Sequence, residues 1–585
     1  VTAPQALGPV IGDWPVLDGA AAGLAPALLD WASRDDPACP RLCLVTGGRG
    51  TGKSRLLAWL LAGSDSHPAT TVHATVPARG QIALTLAWEI GRQLGYGPTG
   101  PGELLERVEA DPRPLRVIIP DLHLAGRGPA DLPAADPRTV VAELLAPLLS
   151  LPGVRAAVEV ERAELFPGPG RPLVLALPQG APAFTRPDPW ETGPDRTDPR
   201  ATAGVRDWEQ APAAVRETAL DRAVRQGTGS VLLTDPGYLA HGSAAAITAA
   251  LADSRIAVPR SLRTVWASAG PVLSSAELSY SERAAVLHAA AVAVDPPLAE
   301  YLRPRAEQHS WTARWTRAEL RTAGLTLDQG SLLVVDLIGR LHEHDPADGR
   351  PVARRPVGPG FRPVHIAAVG ARRLLAVDAM GRLQLVPAPG AAPGTGAADP
   401  FPDHLRDLVL RHNAAVLAGG TAPVTAVAAD RGNVAVADAG GGFQLWSAEQ
   451  GTAGARSHRA HRVPVTAISC LVPPGSQDGL CLVVTGAGDG TVRLWDSRTG
   501  RSMPEPVERR NALPTALALA DTGAGLVLAV AWSDRRLHLW RLSEGRVTFV
   551  PLVRDVDALA LTGDGLLVCG GTDGAFALAL DLDTL

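Results

Sequence analysis

Eight consecutive residues, Gly47-Gly48-Arg49-Gly50-Thr51-Gly52-Lys53-Ser54, have the spacing GxxxxGKS. Glycines let successive backbone N–H groups turn inward around phosphate oxygens, at a helix N-terminus whose dipole already favours anions. In that pattern a lysine such as Lys53 places a compact ammonium on the β and γ phosphates, and the Ser54 hydroxyl serves Mg²⁺. Lys53 is the single lysine among 55 basic residues. A chain that uses arginine everywhere else, with the Ala, Gly and Pro load of a GC-rich genome, keeps lysine where the wider, planar guanidinium cannot replace a point charge. ATP with Mg²⁺ is therefore the expected ligand. The bland alternative is a chance glycine-rich turn. Against it stand the flanks, a β-type apolar run from Arg41 to Thr46 and a helix-type run from Arg55 to Leu61.

A phosphate loop needs a second strand carrying a metal-directed carboxylate. The run Leu115-Arg-Val-Ile-Ile-Pro-Asp121 offers one, and Asp121 is assigned to the metal with Ser54. Between loop and acid, residues 70–76 read as a strand. Residues 81–94 read as a helix, because Ile82, Leu84, Leu86, Ile90 and Leu94 recur at helical intervals. Beyond Asp121, residues 139–151 read as a helix and 154–160 as a strand, followed by Glu161-Arg162. This alternation implies a parallel, doubly wound sheet with its ligand at the carboxyl ends of the strands. His123 is near enough in sequence to orient a water, but a histidine beside a strand end is more often a local hydrogen-bond partner.

Over residues 8–178 the chain resembles the STAND branch of P-loop NTPases, signalling ATPases that include bacterial NLR-like proteins. Val10-Ile-Gly-Asp13 resembles the family's opening motif, the loop and the Asp121 strand follow, and Arg162 matches the family's sensor arginine. The resemblance implies Lys53, Asp121 and Arg162 as catalytic residues and a nucleotide-dependent change of state or homo-oligomer. Two positions depart from the family. Asp13 stands where arginine is usual, and Leu122 replaces the second acid after Asp121, which implies slow hydrolysis.

Residues 1–178 thus form the expected nucleotide domain. Residues 179–204, rich in proline and without periodicity, read as a linker or surface loop. Residues 205–309 read as a helical region, with helices over 205–226, 243–252 and 281–293. The resemblance makes it a lid coupled to the nucleotide; a plain helical spacer is the alternative.

Internal repeats organise residues 310–585. Six segments alternate as strand, tight turn and strand, with turn positions Gly339, Gly381, Gly441, Gly490, Arg535 and Gly574. The steps of roughly 39 to 60 residues are close to the length of a four-stranded propeller blade. These units resemble WD40 repeats. The fourth is the fullest: His461, Thr485, Asp489 and Trp495 match the family's hydrogen-bond network, a fold-stabilising device and not an active site. Six blades are expected, or seven if the insert from Pro387 to Pro402 hides a degenerate one. A strand near 310–316 is expected to complete the last blade, because closure removes an exposed sheet edge.

The whole chain of 585 residues is 46% hydrophobic and 20% charged, with a formal charge of −5. That composition is globular, and 55 basic against 60 acidic residues disfavours nucleic acid as a partner. Five cysteines without a CxxC pair indicate neither a disulfide framework nor zinc, and no apolar run reaches membrane-spanning length. A cytoplasmic location follows as the expectation. No effector domain is expected before Gly12, so an output enzyme would be a separate protein. Together these features point to a multidomain chain: an α/β P-loop NTPase, a helical middle and a C-terminal all-β propeller. The expected function is an ATP-binding signalling NTPase whose propeller takes a protein partner or ligand. The alternative is a WD40 scaffold with a nearly inactive nucleotide site.

Overall fold

The computed structural model describes residues 14–34, 36, 38–64, 67–126, 136–166, 171–178, 207–275, 278–355, 361–370, 373–387, 403–447, 456–476 and 480–585. The opening motif at 10–13, the linker at 179–204 and residues 388–402 of the insert lie outside them. The chain divides into two compact units, Val1–Tyr280 and Ser281–Leu585.

In the first unit, α1 (Ala25–Ser33) precedes β1 (Leu42–Thr46), and the glycine loop leads into α2 (Lys53–Ser64). Then come β2 (Ala74–Thr75), α3 (Ala83–Leu94), α4 (Pro101–Ala110) and β3 (Leu115–Ile119). The helix expected over 139–151 is α5 (Pro137–Val140) and α6 (Ala146–Ser150), joined by a π turn, Val141–Leu145. Pro147 lacks the N–H of a regular turn and crowds the carbonyl four residues back, which the wider π turn accommodates. Strands β4 (Val154–Val160) and β5 (Leu173–Ala176) complete a parallel sheet of order β2-β3-β4-β1-β5.

Side chains alternate across this sheet with the period of two that strands impose. Leu44, Val117, Ile119, Val158 and Val160 pack with α3, α4 and the 137–150 helical run, whereas Cys43, Val45, Ile118 and Ala157 pack with α1 and α2. Both faces are covered, as a parallel sheet requires. Strand β2 is much shorter than the expected 70–76, because residues 68–70 turn as a 3₁₀ helix.

The helical middle is richer than the sequence suggests. It contains α7 (Ala213–Arg225), α8 (Gly229–Leu233), α9 (Pro236–His241), α10 (Ala244–Ala252) and α11 (Arg260–Leu273). Helices of five or six residues, such as α8 and α9, are too short to show a period, and α9 is held by a side-chain cap. The Asp235 carboxylate accepts from the N–H groups of Gly237 and Tyr238 and from Trp208 Nε1 at 2.7 Å. Arg92 of α3 ties this region to the sheet's helices by donating to the Pro271 carbonyl at 2.7 Å and to Ser274 Oγ at 3.0 Å.

Two helices, α12 (Tyr280–Ala291) and α13 (Pro296–Ala306), come next, the division between the units falling at the start of α12. Six antiparallel sheets then form a ring. The final sheet is closed by β6 (Trp311–Arg317), which pairs antiparallel with Gly574–Leu580, Leu580 opposite Trp311. The expected closure is thus the observed one.

Among the described residues, the 60-residue step holds no seventh blade. Blade two has, among the described residues, three strands, Pro363–Gly370, Arg373–Asp378 and Leu383–Pro387, and against the last of them lies α14 (Asp403–Leu417). Asn413 there imitates a strand. Its amide donates to the Leu383 carbonyl at 2.8 Å and its side-chain oxygen accepts from the Leu383 N–H at 2.9 Å. Leu405, Leu408 and Val409 of the same helix enter the core shared with Val427 and Trp446. The six turn positions all have positive φ, from 61° at Arg535 to 113° at Gly574.

Candidate functional site

The glycine loop starts where β1 ends. Gly47, Gly50 and Gly52 have φ of 148°, 75° and 98°, conformations that L side chains rarely adopt. A Cβ on Gly47 would stand 2.8 Å from Thr51 Oγ1 and 3.1 Å from the Leu177 carbonyl oxygen, so backbone must line this position. Thr51 closes the turn by donating to the Gly48 carbonyl at 2.9 Å. Such a cradle, opening the twelve-residue helix α2, suits a phosphate chain.

Lys53 and Ser54 begin α2. The Lys53 ammonium is almost fully buried and donates to the carbonyls of Gly47 and Gly48 at 2.9 and 2.8 Å. Its third neighbour was not anticipated from the sequence. Glu159, only 2% exposed, places Oε1 3.7 Å from Lys53 Nζ and accepts from Ser54 Oγ through Oε2 at 2.9 Å. The strand order explains this meeting: β4 lies directly beside β1, with Glu159 opposite Val45. Alternation then points Glu159 to the side of α2. Burial, followed by the charge of Asp121, pushes its carboxyl above the usual carboxylate range, while Ser54, Lys53 and the Asp121 N–H pull the other way. A charged residue inside a strand buried on both faces is a signal legible in the sequence, since such strands are normally continuous apolar runs.

Asp121 lies just past β3, one strand farther from the loop, and its backbone is left-handed with φ 56°. Its charge acts on Glu159 and raises that carboxyl. Arg162 follows β4 and is exposed at the N-cap of a short 3₁₀ turn, and Arg49 is exposed on the loop. His123 is half-buried in the turn after Asp121.

In the second unit, the expected network of blade four is assembled. His461 Nε2 meets Thr485 Oγ1 at 2.9 Å, Trp495 Nε1 donates to Thr485 at 3.2 Å, and Thr491 links the His461 ring (3.2 Å) to Asp489 (2.6 Å). Burial depresses the His461 pKa, while the Asp489 carboxylate acts the other way. Blade five uses a substitute: Glu508 accepts from Trp540 Nε1 at 2.9 Å and bonds the His538 ring at 2.6 Å. The inner strands enclose a channel of about 420 Å³, lined by small residues such as Ala426, Ala467, Ala516 and Ala558.

The ring and this network define a WD-repeat-like six-bladed propeller, joined in one chain to a five-stranded parallel α/β sheet and a helical middle. No family model matches the chain. It is similar to guanine nucleotide-binding protein subunit beta from Oryza sativa subsp. indica, 27% identical over 139 residues, and from Zea mays, 28% identical over the same length. Those alignments cover 22% of this chain and 35% of each relative, so the chain spans about a third of the relatives' length. A solved structure, the computationally designed Ika8 protein, aligns with 44% of this chain and 70% of its own at 18% identity and a TM-score of 0.28, too low to bear on the fold. Among the described residues, no helix is long and apolar enough to cross a membrane and no group of side chains is arranged to hold a metal ion.

Proposed function

We propose that the chain is an ATP-binding, STAND-like signalling NTPase whose propeller binds a protein partner and couples that binding to nucleotide state. The observation that carries the first half is the Gly47–Ser54 cradle, with Lys53 buried at its helical end and Ser54 beside it. The loop's backbone N–H groups would hold the phosphates, Lys53 their negative charge, and Ser54 the Mg²⁺. Bound Mg²⁺ supplies charge neutralisation between the phosphate oxygens. Arg162, exposed near the strand ends, is proposed to complete the site when the chain changes state or self-associates. A protein partner is inferred from the likeness to a guanine nucleotide-binding protein subunit, named as part of an assembly.

The decisive experiment is binding of a fluorescent ATP analogue with Mg²⁺. Lys53→Ala should abolish it; equal affinity in variant and wild type refutes the nucleotide reading. Coupling between partner and nucleotide must be reciprocal, typically about 5 to 150-fold in affinity. If a captured partner binds equally with and without ATP, the propeller is a scaffold and the nucleotide site a bystander.

A further inference from the structure

We infer that the groove between blades three and four is a docking site for an acidic polypeptide segment. The inference rests on the protein-partner half of the reading above and supplies the chemistry of that partner. The chain as a whole is acidic, yet residues 456–510 hold eight arginines against five acids. Strand register decides where these arginines point. In blade four Arg493 lies opposite Thr485 and Arg509 opposite Thr491, and residues opposite one another, or two apart along a strand, share one face of a sheet. Trp495 is on that same face and meets Phe443 and His458 of blade three, with ring centroids 5.5 and 6.2 Å away. Arg493 and Arg509 therefore face blade three. From the other side, Arg456 shares its strand face with His458 and reaches across to donate to the Ser497 carbonyl at 2.8 Å.

The groove holds more positive charge than its own acids offset. Arg493 is half-buried and Arg509 exposed, and neither has a hydrogen-bond or ion-pair partner among the described residues. Asp489 is engaged by Thr491 at 2.6 Å and stands 3.7 Å from the His461 ring. Glu508, next to Arg509, alternates to the opposite face, where it serves His538 and Trp540 of blade five. Taking a guanidinium partly out of water without an acceptor is costly, and a carboxylate arriving from outside removes that cost through two parallel N–H···O bonds. A polypeptide fits this groove better than a nucleic acid, because the rings of Phe443 and Trp495 are buried and offer no platform on which bases could stack.

The test is fluorescence anisotropy of a short labelled peptide alternating Glu and Ser, titrated with the full-length protein, with Gln in place of Glu as the control peptide. Wild type should bind the acidic peptide, and more weakly as salt rises and screens the charges. Arg493→Gln combined with Arg509→Gln should weaken binding about 10-fold, since each ion pair at a partly exposed site carries a few-fold. Arg493→Lys combined with Arg509→Lys keeps the charge and the fold and should retain most of the affinity. Arg354→Gln, exposed on the outer strand of blade one, should stay within about twofold of wild type. Three results overturn the assignment: wild type that does not distinguish the Glu peptide from the Gln peptide, wild-type affinity in the double Gln variant, or a single-stranded oligonucleotide that binds more tightly than the acidic peptide. Each of these strikes the groove alone. The partner reading falls separately, when the full chain with its groove intact retains no protein partner.

Discussion

Asn413→Ala tests whether α14 serves blade two as a fourth strand serves the others. The change removes both hydrogen bonds to Leu383, whose residue is only 3% exposed, so its N–H and C=O lose their partners with little water to replace them. A net loss of about 0.5 to 1.5 kcal/mol per bond, with a further penalty for an unsatisfied buried group, gives about 2 kcal/mol at a half-buried side chain. Global unfolding of a multidomain chain is not two-state, so a local probe is needed. Native-state hydrogen exchange at the Leu383 amide should accelerate roughly 30-fold, the equivalent of about 2 kcal/mol. Leu410→Ala is the control, since Leu410 is 67% exposed on the same helix and should change exchange little. Unchanged protection at Leu383 in Asn413→Ala would mean that the helix only lies against the blade.

Three further outcomes are expected. Burial pushes the His288 imidazole in α12 down from its ordinary 6.5 to about 4. The unfolded chain therefore takes up that proton first, and stability complete above pH 6.5 falls as pH drops toward 4, by about 3 kcal/mol in all; His288→Leu should flatten that acid limb in thermal melts, and parallel limbs would refute the assignment. Gly490→Ala should destabilise blade four by more than the about 1 to 2 kcal/mol of a left-handed alanine, because at φ 70° its Cβ would stand 1.9 Å from the Arg510 carbonyl oxygen; a melting temperature equal to wild type would contradict it. Intrinsic ATP hydrolysis should be on the order of 0.01 s⁻¹, since Leu122 follows Asp121 where a second acid would serve water activation; a partner-free rate above roughly 10 s⁻¹ would mean that another residue supplies the base.

Local chemistry was legible in the sequence wherever neighbours in the chain determine it. The glycine loop, the strand and helix around it, and the blade turns depend on backbone freedom and on periods of two or 3.6, and these are written within ten residues. Even Arg535, which breaks the glycine pattern, occupies the expected turn with φ 61° and an ion pair to Asp555 at 2.9 Å. The strand near 310–316 was legible because a ring must satisfy its last edge. Long-range pairing decided the rest. Alternation within β3 and β4 is the same whichever of them lies beside β1, so the sequence alone does not say which strand is next to the glycine loop. Only the order β2-β3-β4-β1-β5 brings Glu159 to Lys53 and Ser54. In the same way, nothing local in Asp403–Leu417 says that one asparagine will satisfy the edge of a strand 30 residues earlier. An unpaired backbone edge needs donors and acceptors at the right distance, and tertiary packing decides whether a strand or a helix provides them.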